Sequence, residues 1–314
     1  MVHYKDFQRQ AYKWSRKQEL RYFVEFDIAN FYDTINLDIL ERKIRAAIPR
    51  EKNEIVDLLF VFLRNWNRHF EGYGCKSVGI PQDDIGDCSR MLANFYLREY
   101  DEFMLATSQN TTKCGRYLRY ADDQIIMAAT PDDARRILFQ ASTELHKIGL
   151  NINSGKVHQF SSRDDFAYYW AFDLFDLLAD PDNIKSVNKA AEKFVAQAKI
   201  SDESGSAPPW RSPSVLKRLI SVGLDKIESP HRESILRRVT LASAVTRMEY
   251  WMLERIYRTV NDEAREQLIE AIELWVPLAY HNSFHLNVLR FYTNCRKDSP
   301  TTHIKQRIKE LRYG

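Results

Sequence analysis

Asp122 and Asp123 stand side by side in GRYLRYADDQIIMAAT, between the apolar, partly aromatic runs Tyr117-Leu118 and Ile125-Ile126-Met127. Strand-forming residues on both sides of a short polar pair describe a β-hairpin with acids at its tip. Adjacent carboxylates repel, so holding them together gains a fold little unless a cation lies between them. An ordinary acidic turn would look the same locally, because Asp is a common turn residue. A third acid changes the balance. Asp27 ends the β-rich run RYFVEFDI, and two strands that each end in carboxylate can converge on a pair of divalent cations. Gln82, beside Pro81 in the Gly-rich stretch EGYGCKSVGIPQDD, is a further polar group placed at a helix entrance, where it could touch a ligand.

The elements that must position these groups follow from pattern. After Asp27, Asn36 can cap a helix through LDILERKIRAAI that stops at Pro49, and NEIVDLLFVFLRNWNRHF has the period of a core helix. Asp87 or Ser89 can cap DCSRMLANFYLREYDEFMLA, with Met91, Leu92, Phe95 and Leu97 turned partly to the core. Thr130-Pro131-Asp132-Asp133 starts a helix that ends at Gly149, and LNINSGKVHQF returns as an extended segment carrying Lys156. FAYYWAFDLF, residues 166–175, reads as an aromatic strand or hairpin, and 181–200 as helix. SDESGSAPPWRSPS, residues 201–214, is dense in Ser, Gly and Pro and reads as a linker, and everything beyond it is patterned as helix. In residues 1–20, Lys5, Arg9, Lys13, Arg16 and Lys17 interleave with Tyr4, Phe7, Tyr12 and Trp14. That suits either nucleic acid or an amphipathic helix packing its rings inward. The basic tail from Arg296 suits a solvated helix face or a phosphate backbone.

Composition bounds the class. With 314 residues, 44% hydrophobic and 28% charged, the chain has globular composition and length for two domains. A net charge of +3 permits a nucleic-acid partner without requiring one. Cys75, Cys88, Cys114 and Cys295 form no CxxC pair, which argues against a zinc site or disulfide framework and fits a reducing cytoplasm. No apolar run is long enough to span a membrane, and the N-terminus is not a secretory signal.

The order of these motifs resembles the palm of the reverse transcriptases. FDIANFYDTI is similar to the family's first catalytic motif, GIPQ with SRMLANFYL to its second, YADD to its signature hairpin, and IGLNINSGK to the motif that follows. The resemblance spans roughly residues 22–160 and implies an α+β right-hand polymerase fold. Residues 1–20 would be reduced fingers, 21–180 a ferredoxin-like antiparallel palm, 181–213 a connector, and 214–314 an all-helical, thumb-like or helical-repeat domain. It implies that Asp27, Asp122, Asp123 and the backbone carbonyl of Ile28 hold two Mg²⁺ ions, with Mn²⁺ as a substitute. Tyr32 would be the steric gate against the ribose 2′-hydroxyl, with Phe31 and Gln82 in the nucleotide pocket. Ser89, Arg90 and Tyr120 would lie toward template and primer, Lys156 would be the acid beside the leaving pyrophosphate, and 166–175 would stand at the primer grip.

Two departures accompany the match. Asp83 and Asp84 follow Pro-Gln where the family has Gly, and only 26 residues precede Asp27, so the fingers are short, supplied by a partner, or missing from a fragment. The chain is too short for a maturase with an added endonuclease, and it lacks the Asn-Ala-x-x-His and Val-Thr-Gly signatures of retron enzymes. Its FYDTI context and helical C-terminal region resemble the abortive-infection and other defence-associated bacterial enzymes. An RNA template (in some relatives a noncoding RNA), a DNA product, dNTPs, and a protein partner or second copy are the implied partners. An RNA-dependent RNA polymerase, or a catalytically reduced palm serving as a nucleic-acid-binding subunit, are the alternatives.

Overall fold

The computed structural model describes residues 4–66, 79–81, 88–111, 115–204, 212–240, 242–279 and 282–296. Gln82 and the C-terminal basic segment lie outside them. The chain divides into two compact units, residues 1–167 and 168–314.

Unit 1 is built on a four-stranded antiparallel sheet of β1 (Tyr22–Phe26), β2 (Arg116–Tyr120), β3 (Asp123–Ala128) and β4 (His158–Phe160), in the order β2-β3-β1-β4. β1 is therefore central, although it comes first in sequence. Its register runs Tyr22↔Ala128 to Phe26↔Gln124 against β3, and Phe23↔Phe160 to Glu25↔His158 against β4. Side chains alternate across a strand, so Val24, Phe26, Ile126 and Ala128 fall on one face. They join a core with residues of α3 (Leu37–Ala47), α4 (Asn53–Leu63), α5 (Cys88–Tyr96), α6 (Arg98–Thr111) and α7 (Pro131–Lys147). Phe23 lies on the other face and stacks on Phe166, ring centroids 4.5 Å apart.

Local chemistry sets the helix ends. Asn36 Oδ1 accepts the amides of Asp38 and Ile39, and Thr130 Oγ1 accepts that of Asp133 with Pro131 in the first turn. Gly149, just past α7, takes φ +77°, open to glycine at little cost. α1 (Tyr4–Ser15) is an amphipathic helix packed on β2: Phe7, Ala11 and Ser15 are buried, while Lys5, Arg9, Lys13 and Arg16 face solvent.

Some expected elements differ. Residues 166–175 form no strand. They fall in α8 (Arg163–Tyr169) and α9 (Phe172–Leu177), separated by Ala171 at φ +52°. Ser162 Oγ accepts the Asp165 amide, so a helix cap overrides the strand propensity of the aromatics. Lys156 sits not in an extended run but in a 3₁₀ turn, Ser154–Lys156, just before β4. Met91 is exposed, whereas Leu97 is fully buried.

Among its described residues, unit 2 is all-helical: α9, α10 (Ile184–Ser204), α11 (Ser212–Val222), α12 (Ser229–Thr240), α13 (Tyr250–Thr259), α14 (Asp262–Trp275) and α15 (Asn282–Phe291), with short 3₁₀ turns between. α10 continues into the stretch expected as linker. The helices share one core that includes Leu219, Leu253, Ile272 and Phe291. Among the described residues no helix is long and apolar enough to cross a membrane.

Candidate active site

The sheet register brings the acids together. Continued one step beyond the Phe26↔Gln124 pair, the register places Asp27 by Asp123, where β1 ends and β3 begins, and the charge of Asp27 acts on both hairpin acids. Tyr120 pairs with Asp123 across the hairpin, leaving Ala121 and Asp122 as its two-residue turn. Ala121 adopts φ +54°, the left-handed region that such a tight turn needs. Asp27 is tied on its other side as well. Its carbonyl accepts the Asn153 amide at 2.9 Å, Ala29 N donates to Asn151 O at 2.8 Å, and Ile28 bridges Ile152.

Asp27 is 6% exposed; its Oδ2 accepts from Lys156 Nζ at 2.7 Å, while its buried Oδ1 has no hydrogen-bond partner. Leaving a buried carboxylate oxygen unpartnered costs free energy, so this atom is aimed at something the chain does not supply. Desolvation pushes the carboxyl of Asp123 up to about 6, with the charges of Asp122 and Asp27 adding to it. Asp122 is raised for the same first reason and by Asp27, against its own amide and the cations Lys156 and Arg119. The hydrogen bond to Asp27 raises Lys156, which is therefore a charged ammonium at neutral pH.

Among the described residues no group of three or more His, Cys, Asp or Glu side chains is arranged to hold a metal ion. On Asp27 the cationic partner is instead the Lys156 ammonium. The donor chemistry still suits a hard divalent cation: three carboxylates, all oxygen, of which Asp122 and Asp123 are raised first by burial, with one buried oxygen of Asp27 unpartnered.

Tyr32, on the short helix α2 (Phe31–Thr34), is near enough to Asp122, Arg90 and Tyr120 for their charges to act on it. Burial, then Asp122, raise its hydroxyl, so it is a neutral phenol. Phe31, expected in the nucleotide pocket, is instead core at 4% exposure and lies against the Tyr32 ring at 5.3 Å. Ser89 is buried and Arg90 half-buried on α5, and Tyr120 packs edge-on to Tyr4 of α1 at 5.1 Å. Gly79 and Ile80, at the start of the GIPQ segment, press on Tyr32: Ile80 N donates to Tyr32 O at 3.0 Å, and Trp66 Nε1 to Gly79 O at 3.1 Å.

Residues 3–185 match the family model described as reverse transcriptase (RNA-dependent DNA polymerase). The chain belongs to the reverse transcriptase family. Among solved structures, this chain is similar to telomerase from Candida tropicalis in complex with a TWJ fragment of telomeric RNA, at 12% identity and TM-score 0.37, over 93% of this chain and 53% of that one. The apo telomerase of the same organism matches at 13% identity and TM-score 0.35, over 91% and 54%. The chain spans about half the length of those telomerase chains, and likeness at this level carries no functional argument. A search of curated proteins gives no match.

Other side chains around the three acids are not flagged by motif spacing. Gln124, fully buried, accepts from Tyr100 Oη at 2.6 Å and Tyr117 Oη at 3.0 Å. Arg119 is held by Asp101 and Asn94 beneath the turn. The one signal in sequence was a Gln inside the apolar run DQIIMA, where a buried amide implies partners.

Proposed function

We propose that the chain is a DNA polymerase that adds deoxynucleotides to a 3′-hydroxyl on an RNA template. The observation that supports it best is the register that sets Asp27 opposite Asp123, with Asp122 in the adjoining turn and Asp27 Oδ1 unpartnered. Asp27, Asp122, Asp123 and the Ile28 carbonyl would hold two Mg²⁺ ions, or Mn²⁺ in their place. When bound, these supply the positive charge that acidifies the primer hydroxyl and steadies the departing pyrophosphate. Tyr32 would exclude a 2′-hydroxyl by occupying its space as a neutral ring. Lys156, protonated and mostly exposed, would release Asp27 and offer its proton to the leaving oxygen. Arg90 would meet template phosphate. A place in bacterial defence against phage rests on the motif context and the helical second unit.

The test is incubation of purified chain with Mg²⁺, labelled dNTPs and a primed RNA template, with the Asp122→Ala, Asp123→Ala double variant as control. Incorporation by the wild type alone is expected. Its absence with every template would remove the polymerase reading and leave a palm-fold nucleic-acid-binding subunit. Preference for NTPs over dNTPs would instead indicate an RNA polymerase. Tyr32→Ala should admit ribonucleotides, and unchanged sugar selection would remove the gate. For the defence role, cells carrying the intact chain should resist some phage and cells carrying the double variant should not.

A further inference from the structure

Arg119 stands on β2 two residues after Tyr117, so both side chains point to the same face of the strand. Its side chain is 9% exposed. Nε and Nη2 donate to the two oxygens of Asp101 on α6, at 2.7 and 2.5 Å. Nη1 donates to Asn94 Oδ1 on α5 at 3.0 Å and to the carbonyl of Ala121 at 2.8 Å. That carbonyl belongs to the residue at φ +54°, a conformation alanine disfavours because its Cβ crowds the next carbonyl. A strained turn persists only where its surroundings over-determine it, and here one planar guanidinium grips the turn and two helices at once. Tyr117 Oη, hydrogen-bonded to Asp101 Oδ1 at 3.2 Å and to Gln124, joins the same network to the first residue beyond the acids.

We propose that Arg119, held by Asp101 and Asn94, is a positioning residue that fixes the Ala121 turn, sets where Asp122 and Asp123 stand relative to Asp27, and thereby sets the chain's affinity for divalent cations. This rests on the reading of the three acids as cation-holding groups. A lysine at 119 keeps the charge but not the planar fork, and so cannot hold both Asp101 oxygens and the turn carbonyl together.

The test is a Mn²⁺ titration of the full chain without nucleotide, read by electron paramagnetic resonance, with hydrogen exchange measured in parallel. Arg119→Lys should raise the Mn²⁺ half-saturation at least about tenfold. It should speed exchange at the 122–124 amides while leaving 125–128 unchanged. Arg64→Lys, which disturbs the ion pairs to Asp38 and Glu41 far along the chain from the hairpin, controls for lost stability and should leave the Mn²⁺ midpoint alone. In primer extension, Arg119→Lys should lower kcat at limiting metal with the dNTP KM kept, and added Mn²⁺ should recover part of the rate. A wild-type Mn²⁺ midpoint in a folded Arg119→Lys, or exchange accelerated uniformly through unit 1, would overturn the proposal. If that variant does not fold, Asn94→Ala removes one contact of Nη1 and should shift the midpoint in the same direction; an unshifted midpoint overturns the proposal equally. If the wild type binds Mn²⁺ but incorporates no nucleotide, the polymerase reading fails while the titration still decides the role of Arg119. If it binds none, the cation reading fails and exchange at 122–124 decides whether Arg119 fixes the turn.

Discussion

Asp123→Asn should make the metal-free protein more stable, not less. The folded carboxyl sits near 6 against 3.8 ordinarily, because burial and the charges of Asp122 and Asp27 oppose its ionisation. A folded pKa above the unfolded one means the native state binds more protons between those values, so stability falls as pH rises from about 4 to 6 and is level above. The full shift corresponds to roughly 3 kcal/mol, and solvent reaching the half-buried group reduces this to about 1–2 kcal/mol. Asparagine carries no charge to desolvate and recovers that amount at pH 8. With a urea slope of about 2 kcal/mol per M, the midpoint should rise by about 0.5–1 M in EDTA. Because the chain has two units, unfolding is best followed by hydrogen exchange of peptides covering residues 116–128, which report unit 1 alone. The gain should shrink to about half at pH 5, where Asp123 is mostly protonated in the folded protein. Saturating Mg²⁺ should reverse the order, since it stabilises the wild type and finds fewer charges in the variant. No gain at pH 8, or a gain equally large at pH 5, would refute the assignment of strain to this carboxylate.

Three further substitutions test the surroundings. A Cβ on Gly79 would lie 1.9 Å from Tyr32 O, and backbone must move to admit it. Gly79→Ala should therefore lower stability and relax discrimination between dNTP and NTP, measured as their incorporation ratio. Lys156→Met strips the buried Asp27 of its partner and should cost about 1–3 kcal/mol in EDTA, largely restored by Mg²⁺ in a thermal-shift titration. Asn36→Ala removes the cap of α3 and should cost about 1 kcal/mol with metal affinity unchanged, read by urea unfolding and Mn²⁺ titration.

The parts of this architecture legible in sequence are those written locally. The hairpin around Ala121-Asp122 follows from a polar pair between strand-forming runs, and the caps at Asn36 and Thr130 follow from residue type and spacing. That Asp27 ends a strand was readable; that β1 lies between β3 and β4 was not, because register is set by long-range packing. Arg119 was invisible for the same reason. Its partner Asp101 lies on a helix with ordinary surface composition, and nothing nearby in sequence marks the pair. Residues 166–175 misled because aromatic content favours strand, while the capping Ser162 outside that window decided for helix. The exposed Lys156 carried no sign that it would close on Asp27 from a 3₁₀ turn.

The central place of β1 also shapes how the site comes into being. β2 and β3 pair through a two-residue turn, a contact the chain can make as soon as both strands exist. β1 joins β3 across about a hundred residues, and its other edge waits for β4. Closing so long a loop is slow, so the hairpin acids should be assembled before Asp27 arrives to oppose them. Pulse-labelled refolding should show amides of 116–128 protected ahead of those of 22–26. The order has a consequence for a partly folded chain: until β1 docks on β3, Asp27 stands apart from Asp122 and Asp123, so the hairpin forms with only two of the three carboxylates in place.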